Sequence, residues 1–320
     1  MKNILLLNAK RRIYLYKKMK KYLEERDLKI KIIASDINQF DPISKVAEEF
    51  IILPKITDSS FKDVLIKEIK EKEIGGILIW NDKDFLYMNQ IKEELEKLNV
   101  TIISPEPLKL EICNNKLKTH EFASENNFLM PTLYKKIEEI KKFPVILKPY
   151  DGAGSMDIYI ANNIEEARSD FNKIKSKNPI IEEYIEGEHY TVDIFSDYNG
   201  TPFCIVPRKR IKVHGSEVLI AKIELEEKII EFSKKIAIVL KIIGPINIQF
   251  IVDKNKKIYL IEINPRIGGG TDLTIEAGAN FEKWIVQILI NEKLDKKFVL
   301  ENGLYMSRYY DEVFFHDTIK

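Results

Sequence analysis

Cysteine is nearly absent: Cys113 and Cys204 stand far apart with no CxxC spacing, which excludes a disulfide framework or a cysteine zinc site and fits a reducing cytoplasm. Histidine is scarce too, and His120, His189, His214 and His316 form no H-E-x-x-H or other paired-ligand spacing. An excess of one charge sign is missing, because 51 Lys and Arg face 50 Asp and Glu for a net charge of +1. That balance leaves no electrostatic footprint for nucleic acid or an anionic lipid surface. No long hydrophobic run occurs. Ile4 to Leu7 is short and precedes Lys10, Arg11 and Arg12, the wrong order for a signal peptide. The apolar region from Ile236 to Val252 is broken by Lys241, Gly244 and Pro245, short of the ~20 residues that a spanning helix needs. No membrane segment is expected.

Several familiar signatures are missing as well. The first expected strand is followed by Asn8, Ala9 and Lys10 instead of G-x-G-x-x-G, which argues against NAD in that region. Ser155 sits in Gly-Ala-Gly-Ser-Met, which is neither a nucleophile elbow nor a Walker A loop.

What is present is 45% hydrophobic residues in 320, enough for two domains or three small ones. Mixed charge runs such as Lys67 to Glu73 and Lys92 to Lys97 suit i to i+4 pairing on solvated helix faces. Up to about residue 105, apolar runs at Ile4 to Leu7, Ile30 to Ala34, Gly76 to Trp80 and Thr101 to Ser104 predict strands. Helices are expected over Tyr14 to Arg26, Phe61 to Lys72 and Asp84 to Leu98, with Pro42 and Pro54 in loops. The alternation predicts an open parallel α/β sheet. Asn81, Asp82 and Asp84 follow a strand end, where open sheets bind ligands, although a helix N-cap at Asp82 or Asp84 explains them equally well. Pro105 and Pro107 mark a boundary. One helix is expected from Leu108 to Asn126, then strands from Val145 and helices at Glu226 to Leu240 and Phe281 to Leu289, an α+β construction. Leu304 to Phe315 is expected as a closing strand, and Trp80 and Trp284 as packing residues.

Three stretches carry chemistry. In the first, Asn247 to Asp253 and Ile258 to Asn264 are β-prone runs joined by Lys254, Asn255, Lys256 and Lys257, a hairpin. A symmetric turn sets Gln249 opposite Glu262 and Asn247 opposite Asn264 on one face, with Ile248, Phe250, Ile261 and Ile263 on the other. The polar face suits Mg²⁺, which takes hard oxygens and the phosphates of a substrate. A solvated strand face explains the hairpin alone equally well. Arg266 follows, then Pro265 having stopped the strand, Gly268, Gly269 and Gly270 let backbone approach a ligand. In the second stretch, the strand Val145 to Leu147 delivers Lys148, Pro149 and the turn Asp151 to Ser155, whose N–H groups at Gly152, Gly154 and Ser155 suit phosphate, or an ordinary surface turn. The third runs Ile-Ile-Glu-Glu-Tyr-Ile-Glu-Gly-Glu-His-Tyr-Thr-Val-Asp from Ile180 to Asp193. It is either a strand and acidic turn, or a segment offering backbone to a purine and Glu188 to ribose hydroxyls.

In this order, the three stretches resemble the ATP-grasp superfamily over nearly the whole chain, and particularly the branch like the large subunit of carbamoyl phosphate synthetase. Pro207-Arg208-Lys209-Arg210, continuing to Gly215, Ser216 and Glu217, is similar to that branch. The resemblance implies a flavodoxin-like domain over 1–107, a first ATP-grasp lobe with the glycine loop over 108–185 and a second lobe with the metal site over 186–320. It implies ATP and Mg²⁺, with Mn²⁺ as an alternative. Asn115-Lys116 with Thr119, and Lys148-Pro149, match the nucleotide-contacting lysine segments. Glu182-Glu183-Tyr184-Ile185 matches the adenine linker, and Glu188 the ribose acid. Gln249, Glu262 and Asn264 match the metal ligands, where many relatives have Asp or Glu in place of Gln249. Arg266 matches the phosphate-contacting arginine, and Arg210 is the candidate to neutralise an acyl phosphate, with Arg208 left open as its rival.

The implied activity is ADP-forming ligation of a small carboxylate to an amine, amino acids among the candidates, with no nucleic acid or membrane partner and with a homodimer allowed. A phosphotransferase acting on a hydroxyl or amine, and a nucleotide-responsive binding protein without catalysis, are the competing expectations.

Overall fold

The computed structural model describes residues 2–151, 157–174, 179–215 and 217–316. The first layer is built from β1 (Asn3–Leu6), α1 (Ile13–Glu25), β2 (Ile32–Asp36), α2 (Ile43–Val46), β3 (Glu49–Ile52), α3 (Phe61–Glu71), β4 (Ile74–Leu78), α4 (Asp82–Gln90), α5 (Lys92–Lys97) and β5 (Thr101–Ile102). Its five strands are all parallel, in the order β3-β2-β1-β4-β5. Alternation along β1 divides the core: Ile4 and Leu6 pack with α1 residues Leu15 and Met19, whereas Leu5 and Leu7 pack with α3 residues Leu65 and Ile69. The order reverses at β1, so the loops after β1 and β4 open side by side at the carboxyl edge, where an open sheet binds ligands.

Next come α6 (Pro107–Asn114), α7 (Lys116–Glu125), β6 (Leu133–Tyr134), a 3-10 turn at Ile137–Glu139, β7 (Val145–Pro149), β8 (Tyr159–Ala161), α8 (Ile164–Lys173) and β9 (Pro179–Glu183). The four strands form an antiparallel sheet in the order β6-β9-β7-β8. The last part holds β10 (Gly187–Ser196), β11 (Pro202–His214), β12 (Glu217–Ile223), α9 (Glu227–Leu240), β13 (Gly244–Asp253), β14 (Ile258–Asn264), α10 (Thr271–Glu276), α11 (Phe281–Leu289) and β15 (Tyr305–Ser307). Its antiparallel sheet has the order β14-β13-β10-β11-β12-β15. Among the described residues, no helix is long and apolar enough to cross a membrane.

The expected parallel sheet followed by antiparallel lobes is what the chain forms, with local corrections. The helix expected from Leu108 to Asn126 is two helices, because Asn115 turns extended and its side chain accepts from the N–H groups of Leu117 and Lys118, capping α7. Asp84 to Leu98 is likewise two helices, broken at Ile91. The cap of α4 is Asn81 and neither aspartate. Only Tyr305–Ser307 of the expected closing strand pairs, on β12. The exposed charge runs do pair i to i+4, as at Lys67–Glu71 and Lys92–Glu96.

The hairpin register is as expected, Asn247 opposite Asn264 and Gln249 opposite Glu262. A bulge then shifts the pairing so that Leu260 faces Phe250. Leu260 therefore joins Ile248, Phe250 and Ile263 in the core, and Ile261 is left partly exposed, contrary to the expectation that it fills the core. The Leu260 amide leaves the ladder for the carbonyl of Leu129, 2.8 Å away.

Candidate functional site

The six-stranded sheet has one apolar and one graded face. Val192, Ile194, Ile248 and Phe250 lie on the first, beneath Ile229, Ile236 and Leu240 of α9. On the other face, Phe195, Cys204 and Val206 pack with Phe281 and Trp284 of α11, and the rows continue into Asp193, Thr191 and His189 on β10 and Arg208 and Arg210 on β11. Apolar core passes into polar cleft along single strands.

At the polar end, Arg210 Nη1 donates to Gln249 Oε1 (3.2 Å) and Arg266 Nη2 donates to Asn264 Oδ1 (3.0 Å). Glu262 stands between these residues and is half-buried. Lys116 opens α7, its N–H bonded to the Tyr150 carbonyl (3.0 Å). Burial pulls the Lys116 ammonium below its ordinary pKa, opposed by Glu262, with Lys148, Glu182 and Asp151 also in range. Lys116 thus stands where the four-stranded and six-stranded sheets face each other. Burial also lowers the Arg210 pKa, helped by Arg208 and opposed by Glu262.

Across the cleft, buried Lys148 pairs with buried Glu182 (2.5 Å), whose other oxygen meets His120 Nε2 at 2.9 Å. Burial opposes ionisation of Glu182, but Lys148 and His120 outweigh it and hold the carboxyl down to about 2. Glu182 therefore orients Lys148, a role that the linker expectation did not include. In the rest of that linker, Glu183 N–H donates to the Thr132 carbonyl (2.8 Å) and Tyr184 N–H to the Pro144 carbonyl (3.3 Å), which fix its path past β7, while Ile185 is buried.

Glu188 is not brought to this cleft. It follows the row of Tyr190 and Val192 on the apolar side, pairs with Lys209 (2.5 Å) and accepts from Tyr190 (3.4 Å). Strand alternation gives the cleft face to His189, opposite Arg210's strand and in line with Thr191. Partial desolvation, and then the charge of Arg210, lower the pKa of the His189 imidazole, although the ring keeps access to solvent. Gly152, Gly154, Ser155 and Ser216 lie outside the described residues.

Asp193 was not anticipated. Its carboxylate accepts from Arg208 Nε (2.8 Å) and Nη2 (3.1 Å), Asn247 Nδ2 (2.7 Å), Thr271 Oγ1 (3.1 Å) and Thr274 Oγ1 (2.5 Å). Arg208 and Asp193 are each 1% exposed, so Arg208 is a structural ion and Arg210 is the arginine that faces the cleft. The network shapes the glycine loop. A Cβ on Gly270 would lie 2.4 Å from Arg208 Nη1, and one on Gly268 would lie 2.6 Å from Asn247 Nδ2, whereas Gly269 is exposed. Gly268 and Gly270 are thus required by packing against the network, and Gly269 presents the open peptide.

Two further arginines reach this loop. Arg12, from the turn after β1, donates to the Gly268 carbonyl (3.4 Å) and lies over the Trp80 ring (5.4 Å). Arg308, just past β15, donates to the Gly269 carbonyl (2.8 Å) and pairs with Glu217 (3.2 Å). Arg266 pairs with Asp82 after β4 (3.1 Å), so the carboxyl edge of the parallel sheet closes on the end of β14. Trp80 is a packing residue, as expected, whose ring also carries Arg12, while Trp284 is fully buried among Phe195, Phe203, Phe281 and Phe298. The sequence signal for Arg12 was hidden in the run Lys10-Arg11-Arg12.

Comparison with known proteins agrees with this architecture. Residues 175–309 match a family model described as ATP-grasp in the biosynthetic pathway with Ter operon, and residues 4–103 match a model of the PylC-like N-terminal domain. A D-alanine–D-alanine ligase of Fusobacterium nucleatum is 31% identical over 137 residues, 40% of this chain and 47% of that protein. A carbamoyl phosphate synthase large chain of Clostridium botulinum is 29% identical over 227 residues, 64% of this chain and 21% of that protein. The chain thus spans about half the length of the first of these relatives and about a fifth of the second. Among solved structures, the biotin carboxylase domain of the Hydrogenobacter thermophilus 2-oxoglutarate carboxylase, in complex with MgADP, ADP and bicarbonate, has a TM-score of 0.75 at 18% identity. The match covers 95% of this chain and 73% of that one. By these matches, residues 175–309 carry the ATP-grasp family pattern, and the fold of the chain is the one seen in the biotin carboxylase domain.

Proposed function

We propose that the chain ligates a small carboxylate to an amine at the expense of ATP, with release of ADP and phosphate. The observation that carries this reading is the meeting of Glu262, Gln249, Asn264, Arg210, Arg266 and Lys116 at one mouth, with Lys148 on the opposite lobe. In this reading the carboxylate oxygen attacks the γ-phosphorus and ADP leaves. The amine nitrogen then attacks the acyl carbon, phosphate leaves, and the nitrogen gives up a proton. Amino acids are the first substrates to test, since the ligase relative is named for joining two alanines.

Charge develops on the transferred phosphoryl oxygens, so cations held in place beforehand contribute most. We assign that work to Lys148, Lys116 and Arg266, and the neutralising of the acyl phosphate to Arg210. The donor set fits Mg²⁺ or Mn²⁺: Glu262 offers one carboxylate, and the amide oxygens of Gln249 and Asn264 already face cationic groups. The metal would supply Lewis-acid stabilisation of phosphate charge. The backbone of Glu183 to Ile185 would hold the purine. At the ribose end the proposal moves from Glu188 to His189, because only the latter shares the face of Gln249 and Arg210.

The test is incubation with ATP, Mg²⁺, hydroxylamine and a panel of acids. Hydroxamate with stoichiometric ADP and phosphate is expected, and AMP with pyrophosphate would refute the scheme. A phosphorylated product stable to hydroxylamine would instead support a phosphotransferase. Glu262→Gln is expected to abolish turnover while leaving ATP binding within about tenfold, measured by calorimetry, since the metal loses its one anionic ligand. Unchanged turnover would mean that the metal site lies elsewhere.

A further inference from the structure

The glycine loop is flanked by more cationic groups than phosphoryl transfer needs. Arg266 is matched by Asp82 and lies beside the proposed metal ligands. Arg12 and Arg308 lie farther along, on either side of Gly269. Arg12 Nη1 is 4.0 Å from where a Gly269 Cβ would be, and Arg308 Nη2 bonds the Gly269 carbonyl at 2.8 Å. Arg308 has Glu217 at 3.2 Å and Asp272 at 3.8 Å, with Tyr310 on the other Glu217 oxygen. Arg12 differs: among the described residues, no carboxylate lies within 4 Å of it, and its partners are one carbonyl and the face of an indole.

Two buried donors around it also lack a partner among the described residues, Trp80 Nε1 and Arg308 Nε. Trp80 is 6% exposed and lies directly beneath the Arg12 guanidinium. Arg12 is also the residue from which α1 starts, and this 13-residue helix has no side-chain cap and no acidic residue in its first turn. An uncapped helix start favours negative charge. Burial and the nearby Arg266 and Arg308 destabilise the Arg12 cation, and Asp272 offsets them in part. Asp272 is itself pushed by burial toward its neutral form. A converging set of partly buried guanidinium groups with spare donors is the arrangement that binds carboxylate or phosphate.

We propose that Arg12, Arg308, Trp80 Nε1 and the first turn of α1 form a pocket for a second anionic group, carboxylate or phosphate, on the acid substrate. The group to be activated lies at Arg266 and Arg210, and the acid extends over the open Gly269 peptide to the second pocket. The substrate acid is therefore at least a dianion. This assignment rests on the ligase reading for the word substrate, while the pocket itself rests only on the geometry.

Two measurements separate the two. The first is binding without turnover. In a buffer free of phosphate and carboxylate, succinate, O-phosphoserine, inorganic phosphate and propionate are titrated into the whole chain by calorimetry, with wild type, Arg12→Met and Arg12→Lys compared. Succinate or O-phosphoserine is expected to bind at least tenfold more tightly than propionate. Arg12→Met should erase that preference and Arg12→Lys recover part of it. Equal binding of propionate, or a preference that survives in Arg12→Met, overturns the pocket, and binding by inorganic phosphate alone assigns it to a free anion and overturns the dianion substrate.

The second measurement is the hydroxamate assay with dicarboxylic, phosphorylated and monocarboxylic acids. Dianions are expected to lead in kcat/KM by at least tenfold, with the lead lost in Arg12→Met through KM. Hydroxamate from monocarboxylates alone overturns the dianion substrate and leaves the ligase reading standing. Arg12-dependent binding without hydroxamate from any acid overturns the ligase reading and leaves the pocket standing. Circular dichroism and the ATP affinity of Arg12→Met, both expected to match wild type, show that the variant is folded.

Discussion

Replacing Asp193 with leucine should destabilise the chain more than replacing most residues of the cleft, although Asp193 touches no proposed substrate. Its carboxylate accepts five hydrogen bonds, two of them from Arg208, and both residues are 1% exposed. Removing one partner of such a pair leaves a buried charge uncompensated, at a cost of about 3–5 kcal/mol. The Asn247, Thr271 and Thr274 donors lose their acceptor as well, at about 1 kcal/mol or more each where water cannot reach them. The expected loss is therefore about 6–8 kcal/mol, comparable with the whole stability of a marginal domain.

Paired substitutions discriminate more sharply. In Asp193→Leu with Arg208→Met, the stranded cation is gone, so the double variant should be more stable than Asp193→Leu alone. A coupling of at least about 2 kcal/mol is expected for residues in direct contact. The measurement is urea unfolding followed by tryptophan fluorescence, which Trp284 reports from the adjoining core. If the double variant loses the sum of the two single losses, within about 0.5 kcal/mol, Asp193 and Arg208 are independent and the account of the network is wrong.

Other variants test neighbouring steps. Gly270→Ala places a Cβ 2.4 Å from Arg208 Nη1 and should lower both melting temperature and turnover, whereas Gly269→Ala, with its nearest atom at 4.0 Å, should keep the melting temperature within a degree or two. Glu182 has a carboxyl held down to about 2 from an ordinary 4.5, so its ionisation stabilises the fold by roughly 3 kcal/mol at neutral pH. That contribution is present above pH ~4.5 and fades as pH falls toward ~2. The stability gap between wild type and Glu182→Gln, measured by urea unfolding at several pH values, should therefore be flat from pH 5 to 7 and shrink below; a gap that grows on acidification refutes the assignment. His189→Leu should raise the KM for ATP severalfold and Glu188→Gln should leave it nearly unchanged, and the reverse outcome would return the ribose end to Glu188.

Much of the fold was legible because alternation and periodicity are local. The hairpin register followed from a four-residue polar turn, and the polar set Asn247, Gln249, Glu262 and Asn264 is paired as that register requires. The bulge was not legible, since Leu260 and Ile261 are both apolar and either satisfies the pattern; the choice is made by the Leu129 carbonyl, which is distant in sequence. The break at Asn115 had a local signal, a residue that caps helices well, but apolar periodicity continues through it and masked the signal. Strand β3 was missed because Glu49–Ile52 is four residues long and gains its place only by pairing with β2.

The site was legible where its residues follow one another, and illegible where it is assembled. Arg266 and Gly268 to Gly270 form a continuous segment, but Asp193, Arg12 and Arg308 reach them from three distant parts of the chain. One local rule could have moved the ribose assignment. On β10 the apolar row is Tyr190, Val192 and Ile194, and stepping back by two reaches Glu188, so Glu188 belongs to the α9 side and His189 to the cleft. The same count places Asp193 on the cleft face, deeper than Thr191 and next to Phe195, where a carboxylate is costly unless several donors meet it. An acid at that depth on that face implies a buried cation on the neighbouring strand, and Arg208 on β11 is that cation. Arg210, two residues farther out on the same face and with its side chain bonded only to the Gln249 amide oxygen among the described residues, is then the arginine that we propose meets a ligand.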